Sequence, residues 1–176
     1  MPASSIDILL PDLNDLIGQW WHTTDAAADG MPPHITLLWP WKSRADISDE
    51  DFAMIANVAR QTQPLHLRLT SLQTFPGVLW LRPEPTEALL VLMRRLWSMF
   101  PSHPPFGGSL PNEPIPHITV AKVPDGALDG LTAEVHSRIG SRLPIQLAVD
   151  DIAVSIEGAA PDGRWAPVRR FALGSG

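Results

Sequence analysis

Two copies of one tetrapeptide decide the expected fold, Pro33-His34-Ile35-Thr36 and Pro116-His117-Ile118-Thr119. Apolar residues follow each copy, so each copy is predicted to open a β-strand. Because residues i and i+2 of a strand point to the same face, each copy presents one imidazole beside one hydroxyl. An imidazole transfers protons near neutral pH, and a threonine hydroxyl can donate a hydrogen bond to an anionic oxygen. The repeated pattern therefore favours chemistry at a phosphorus atom.

The segments around the two copies follow the same order of strand, helix, His-strand, helix and strand. Asp12 is expected to cap the first helix, and Ser48 with Asp51 the second. Apolar periodicity predicts the remaining elements: strands over Ile6–Leu10, Leu65–Ser71, Val78–Leu81, Ile145–Ile156 and Trp165–Leu173, and helices over Thr86–Phe100 and Leu128–Ile139. We therefore expect one bilobal domain over 1–176, with pseudo-repeats at about 1–82 and 83–176 that place the histidines around a pseudo-twofold axis.

Composition limits the class of protein. The chain has 176 residues, of which 44% are hydrophobic and 18% charged, so it is predicted to fold as a single globular domain. It has no cysteine, which excludes disulfides, thiol nucleophiles and thiolate metal sites. The net charge of −6 argues against non-specific binding of long nucleic acid, which depends on positive charge. Without a membrane-length apolar run or a secretory signal, a cytoplasmic location is expected and no membrane partner is predicted.

Four segments resemble the 2H phosphoesterase superfamily, the group of 2′-5′ RNA ligase-like and cyclic phosphodiesterase proteins with two His-x-Thr/Ser motifs. The stretch 34–41 is similar to its first motif, 75–81 to the hairpin between the motifs, 116–122 to the second motif and 163–174 to the closing strand. The resemblance extends over nearly the whole chain. It implies an α+β fold in which two antiparallel-rich sheets line a central cleft, with helices outside and all four motif residues in the cleft.

The resemblance also implies a function. It points to a metal-independent phosphoesterase that opens 2′,3′-cyclic phosphates, or cleaves or joins 2′-5′ linkages, on RNA ends or small nucleotides. His34, Thr36, His117 and Thr119 are the implied catalytic residues, with the threonines binding the non-bridging oxygens. Analogy with the family favours His117 as the base and His34 as the acid, although the repeat itself leaves the two equivalent. No metal, cofactor or obligate protein partner is implied.

Four further residues are candidates for substrate binding. Trp39 and Trp41 flank the first motif and either stack a nucleobase or pack into the core. Lys122 stands where many relatives carry arginine, so it retains the charge but loses the flat bidentate fork. Arg164 lies in a basic cluster near the C-terminus, and the alternative for both cations is a solvated strand end.

Other interpretations of the motifs stay open at this point. Strand histidines and threonines also serve purely structural roles. A non-catalytic nucleotide- or RNA-binding module would keep the same fold. A metal-dependent hydrolase is less well supported, because each motif offers one ligand and no Glu-x-x-His or carboxylate cluster accompanies it. The remaining histidines are predicted to be structural or at the surface: His22, His66, His103 and His136.

The segment 101–116 contains six of the 19 prolines and leads directly into the second motif. A connection of this length without its own secondary structure often forms the rim of a site. A rigid connector is the alternative interpretation.

Overall fold

A computed structural model describes residues 3–124 and 126–174. The predicted domain 1–176 also includes Met1, Pro2, Asp125, Ser175 and Gly176, which lie outside the described residues. The strands are β1 Ser4–Leu9, β2 His34–Leu38, β3 Leu65–Phe75, β4 Val78–Glu84, β5 Ile118–Lys122, β6 Ile145–Val149, β7 Asp151–Ile156 and β8 Ala166–Ala172. The α-helices are α1 Asn14–Trp21, α2 Asp25–Ala28, α3 Asp49–Arg60, α4 Thr86–Met99 and α5 Leu128–Ile139.

The strands form two four-stranded antiparallel sheets. One sheet has the order β2-β1-β7-β8 and the other β5-β4-β3-β6. In each sheet the strand that carries a His-x-Thr motif lies at an edge, beside the strand that precedes it in the chain. The predicted α+β fold with two antiparallel sheets is therefore confirmed.

Neither sheet is built from one half of the chain. The first sheet combines β1 and β2 with β7 and β8, and the second combines β3 and β4 with β5 and β6. The proposed repeat boundary near residue 82 falls within β4. The first half thus contributes β1 and β2 to one sheet and β3 with most of β4 to the other, and the second half contributes β5 and β6 to one sheet and β7 and β8 to the other. The division into pseudo-repeats stays a prediction.

The predicted single strand over Ile145–Ile156 is wrong. The chain leaves one sheet after Val149 and enters the other at Asp151, so β6 and β7 belong to different sheets. Only the exposed Asp150 separates them. Without a glycine or proline at the crossing, both pieces share one apolar pattern, and local periodicity cannot detect the change of sheet.

Helices cover the apolar side of both motif strands. On β2, Ile35 and Leu37 are fully buried and alternate with His34 and Thr36, which are only partly buried. Helix α4 packs on β2 and donates a hydrogen bond from Trp97 Nε1 to the Leu37 carbonyl at 2.8 Å. Helix α1 packs on β5 in the second sheet. This packing leaves the polar face of each motif strand directed away from the core.

Only one of the two predicted helix caps is present. Ser48 and Asp51 form the predicted capping box, in which the Ser48 hydroxyl accepts from the Asp51 N–H and the Asp51 carboxylate accepts from the Ser48 N–H. The predicted cap at Asp12 is wrong, because this residue lies in a 3-10 turn over Pro11–Leu13 and α1 begins at Asn14 without a side-chain cap. The proline at position 11 favours the tight turn that displaces the helix start.

Candidate active site

Both His-x-Thr motifs meet at one cleft between the two sheets. The cleft has a volume of about 370 Å³, which is in the range of small-molecule sites. Its lining includes the four predicted catalytic residues His34, Thr36, His117 and Thr119. The two motif strands therefore face each other across one space, as their pseudo-twofold placement predicts. The catalytic role of the four residues stays a prediction.

The two imidazoles are held in the same way. His34 Nδ1 lies 2.9 Å from the Pro32 carbonyl oxygen, and His117 Nδ1 lies 2.7 Å from the Ile115 carbonyl oxygen. Because a carbonyl oxygen only accepts, each Nδ1 carries a hydrogen and each Nε2 is the atom that gains or loses the second proton. In both motifs a buried proline separates the histidine from that carbonyl and holds the preceding residue extended.

The aromatic surroundings of the two histidines differ. His34 meets the edge of Trp21 with ring centres 5.6 Å apart. His117 meets Phe75 at 5.1 Å and Trp80 at 5.8 Å, and these two rings stack on each other at 4.7 Å. The second histidine therefore lies in a more apolar environment than the first.

That environment lowers the pKa of His117 below its usual value. Burial is the main cause, because it disfavours the charged imidazolium. The hydrogen bond to the Ile115 carbonyl acts in the opposite direction, and the nearby charge of His34 adds to the lowering. At a pH where an ordinary histidine is half charged, His117 is therefore mostly neutral and able to accept a proton.

Asp7 also lines the cleft, and it was missed from the sequence. It lies opposite Thr36 in the β1–β2 register and is only 1% exposed. Burial raises the pKa of this carboxyl, whereas the charge of His34 and the hydroxyls of Ser5 and Ser155 act to lower it. A carboxyl between Ile6 and Ile8, in the middle of a predicted buried strand, was the signal available in the sequence.

Two of the four candidate substrate-binding residues line the cleft. Trp39 is 42% exposed there and meets the edge of Phe106 at 6.2 Å. Lys122 is half exposed, and its Nζ lies 3.7 Å from Asp25 Oδ2. Both side chains are free enough of the core to contact a ligand.

The other two candidates lie elsewhere. Trp41 is 5% exposed and packs in the core against Phe100, with ring centres 5.1 Å apart. Because β2 ends at Leu38, the two-residue period of a strand does not place Trp41 on the same side as Trp39. Arg164 is outside the lining of the cleft and forms an ion pair with Asp162 at 2.6 Å. The structure therefore gives no support to a substrate contact by Trp41 or Arg164 in this cleft.

Phe106 is a second cleft residue that sequence reasoning did not identify. It belongs to the proline-rich segment and has a left-handed backbone, with φ of 52°. Its N–H donates to the Trp39 carbonyl at 2.6 Å, which attaches the segment to the end of the first motif. The interpretation of this segment as a rim, rather than a connector alone, agrees with that placement.

The other histidines do not line the cleft. None of His22, His66, His103 and His136 is among the residues that line the cleft. Within residues 3–124 and 126–174, no group of three or more His, Cys, Asp or Glu side chains is close enough to hold a metal ion. No helix in the same described part of the chain is both long and apolar enough to cross a bilayer.

A family model described as the 2′-5′ RNA ligase superfamily matches residues 10–159, which include both motifs. The chain belongs to this superfamily. The resemblance inferred from the two motifs is therefore confirmed.

Relatives of this superfamily member are themselves named as phosphoesterases. A "Putative phosphoesterase" of Bacillus licheniformis is 23% identical over 180 residues, covering 96% of this chain and 97% of the relative. Another from Geobacillus kaustophilus is 28% identical over 101 residues, covering 55% of each protein. The superfamily and these relatives place the chain among phosphoesterase- or ligase-type enzymes.

Solved structures agree with the fold. LigT of E. coli in complex with 3′-AMP has a TM-score of 0.61 at 21% identity, covering 98% of this chain and 99% of LigT. TT0787 of Thermus thermophilus has a TM-score of 0.63 at 18% identity, covering 99% and 98%. LigT has also been crystallised with NADP+ and with ATP. At these identities the similarity shows a shared fold.

Proposed function

We propose that this superfamily member is a metal-independent phosphoesterase that opens 2′,3′-cyclic phosphates, or cleaves or joins 2′-5′ linkages, on RNA ends or small nucleotides. The observation that carries this proposal is the pair of identically anchored imidazoles on two sides of one cleft, each accompanied by a threonine hydroxyl. In-line displacement at phosphorus needs one group to remove a proton and another to supply one on the opposite side.

The reaction assigns different tasks to the two histidines. His117 Nε2 removes a proton from water as the water oxygen forms a bond to phosphorus. The bond from phosphorus to the ribose 3′ oxygen breaks, its electron pair stays on that oxygen, and His34 Nε2 supplies the proton, which gives a 2′-phosphomonoester. The lowered pKa of His117 supports its assignment as the base, because a base must start neutral.

Charge that accumulates on the non-bridging oxygens needs donors that are already in position. The hydroxyls of Thr36 and Thr119 lie on the same strand faces as the imidazoles and are proposed to donate to these oxygens. Lys122 in the lining of the cleft adds a half-exposed positive charge. Because it offers no bidentate fork, it is proposed to assist binding and not to orient the phosphate.

Trp39 and Phe106 supply aromatic surface for a nucleobase next to the phosphate site. Aromatic faces stack bases of any type, and the nucleotide complexes of LigT agree with a nucleotide ligand in this fold. Negative charge around the cleft, from the exposed Asp29 in its lining and Asp25 beside Lys122, disfavours a long polyanion. A single cyclic nucleotide or a short RNA end is therefore the proposed substrate.

Turnover of a 2′,3′-cyclic nucleotide in the presence of a chelator tests the proposal, with the product separated by chromatography. We expect hydrolysis by the unmodified protein and its loss in both His34→Ala and His117→Ala. His66→Ala, an exposed histidine on β3, is the matched control and should retain turnover. Binding without turnover would support the non-catalytic module, and loss of turnover on chelation would support a metal-dependent enzyme.

A further inference from the structure

Asp7 makes the two motifs unequal. It is a strand residue whose side chain shares one face of the first sheet with Thr36, directly opposite on β2. Its Oδ2 accepts a hydrogen bond from the Ser5 hydroxyl at 2.5 Å, whereas neither its Oδ1 nor the Ser155 hydroxyl, which acts on the carboxyl from β7, has a hydrogen-bond partner of normal geometry in the described part of the chain. A carboxyl that is 1% exposed and only half satisfied costs folding free energy. A buried titratable group that lines a cleft is a candidate for a functional role.

The equivalent position in the second sheet holds an indole. Strands β1 and β4 occupy matching places, each next to the edge strand that carries a motif. Opposite Thr119 in the β4–β5 register is Trp80, which also contacts the ring of His117. One histidine thus has a carboxyl as a neighbour on the sheet, and the other has an aromatic ring. The sheet registers therefore create an electrostatic difference that the two identical tetrapeptides do not contain.

Few other charges face Asp7 and His34. His117 lies across the cleft, directly before β5, and Lys122 at the end of β5 also lines the cleft, half exposed and beside Asp25 of α2. Asp29, at the rim after α2, is exposed to water. Water and salt screen these exposed charges, whereas Asp7 acts on His34 from a buried position.

We propose that Asp7 is a positioning residue that keeps a proton on the His34 side of the cleft and so makes His34 the acid and His117 the base. This inference rests on the proposed function and adds to it a residue that acts through His34. The two groups are coupled electrostatically, because the charge of His34 acts to lower the pKa of the Asp7 carboxyl. When His34 releases its proton to the ribose oxygen, the negative charge of Asp7 favours its replacement from solvent.

The pH dependence of kcat/KM tests this inference, with 2′,3′-cyclic AMP as substrate. In Asp7→Asn the imidazolium loses its partner, so the alkaline limb should move to lower pH by about one unit, and kcat/KM on that limb should fall about tenfold. Asp29→Asn removes the same charge from the exposed rim and should leave the position of the limb unchanged. An alkaline limb that stays in place in a folded Asp7→Asn protein would overturn the proposal.

A second measurement separates this inference from the proposed function. The titration of the His34 ring, followed by NMR and assigned with His34→Ala, reports the Asp7–His34 coupling without any turnover. Its midpoint should move to lower pH in Asp7→Asn and in the smaller Asp7→Ser, and an unmoved midpoint in both would contradict the coupling. If the midpoint moves in both variants but the unmodified protein turns over no cyclic nucleotide, the coupling stands and the proposed function is overturned.

Discussion

The His34 side and the His117 side of the cleft share their local sequence but differ in what packs around it. Both imidazoles are anchored through Nδ1 to the carbonyl two residues earlier. On one side the ring meets the edge of Trp21 and interacts electrostatically with the buried Asp7 carboxyl, and on the other side it meets Phe75 and Trp80. A duplicated motif therefore supplies two chemically similar groups, and its surroundings decide which one holds the proton.

The largest expected effect comes from removing either imidazole. His34→Ala and His117→Ala should each lower kcat on a 2′,3′-cyclic nucleotide by about 10² to 10⁴, because each removes one of the two proton transfers. The double variant should lose much less than the product of the two single effects, since the two groups act in one step. Steady-state kinetics with His66→Ala as control measures this. If one single variant kept full kcat, the two sides would not share a reaction.

The threonines test whether the two sides bind the phosphate equally. Thr36→Val and Thr119→Val keep the strand shape and remove one donor each, so kcat should fall by about 10² in both if each hydroxyl meets developing charge. Unequal losses would show which lobe carries more of that charge. Unchanged kcat in both variants, with circular dichroism showing an intact fold, would assign the threonines to strand formation alone.

The two tryptophans after the first motif should differ in what they affect. Trp39→Ala should raise KM about tenfold with little change in thermal stability, because an exposed stacking surface is lost. Trp41→Ala should instead cost about 3–5 kcal/mol of unfolding free energy, since a buried indole is replaced by a cavity. Denaturant unfolding and substrate titration of both variants measure this contrast. A KM effect in Trp41→Ala at full stability would reverse the assignment.

The smallest effect is expected in the pH profile of the His117 side. Because burial lowers the pKa of His117, its base function should survive below the ordinary value of 6.5 and fail only at more acidic pH. Phe75→Leu removes part of the aromatic cover, so the pKa should rise toward 6.5 and the acidic limb of kcat/KM should move up by about half a unit. An unmoved limb would mean that Phe75 does not set the environment of the base.

The same pKa shift has a consequence for stability. Since His117 binds a proton less readily folded than unfolded, its contribution to the free energy of unfolding is full above the unfolded value of 6.5. It falls as the pH drops from that value toward the lower folded pKa. His117→Ala should therefore reduce the pH dependence of thermal unfolding just below 6.5, which a series of melts would detect.

Much of the fold could be predicted because its signals are local. The alternation in β2 and β5, the capping box at Ser48 and the apolar stripe of α4 each appear within a few residues of sequence. The sequence alone also indicated the four motif residues, because the same imidazole–hydroxyl pair occurs twice on strand-like segments.

Only the tertiary structure decided how these pieces differ. The sheet change at Asp150 and the neighbours of the two threonines depend on how strands far apart in the chain pair. The core position of Trp41 and the approach of Phe106 depend on contacts between other distant segments. Local sequence determines which face a side chain occupies, because the strand period is two residues. What that side chain meets is set by non-local packing, and this placed Asp7 beside one motif and Trp80 beside the other.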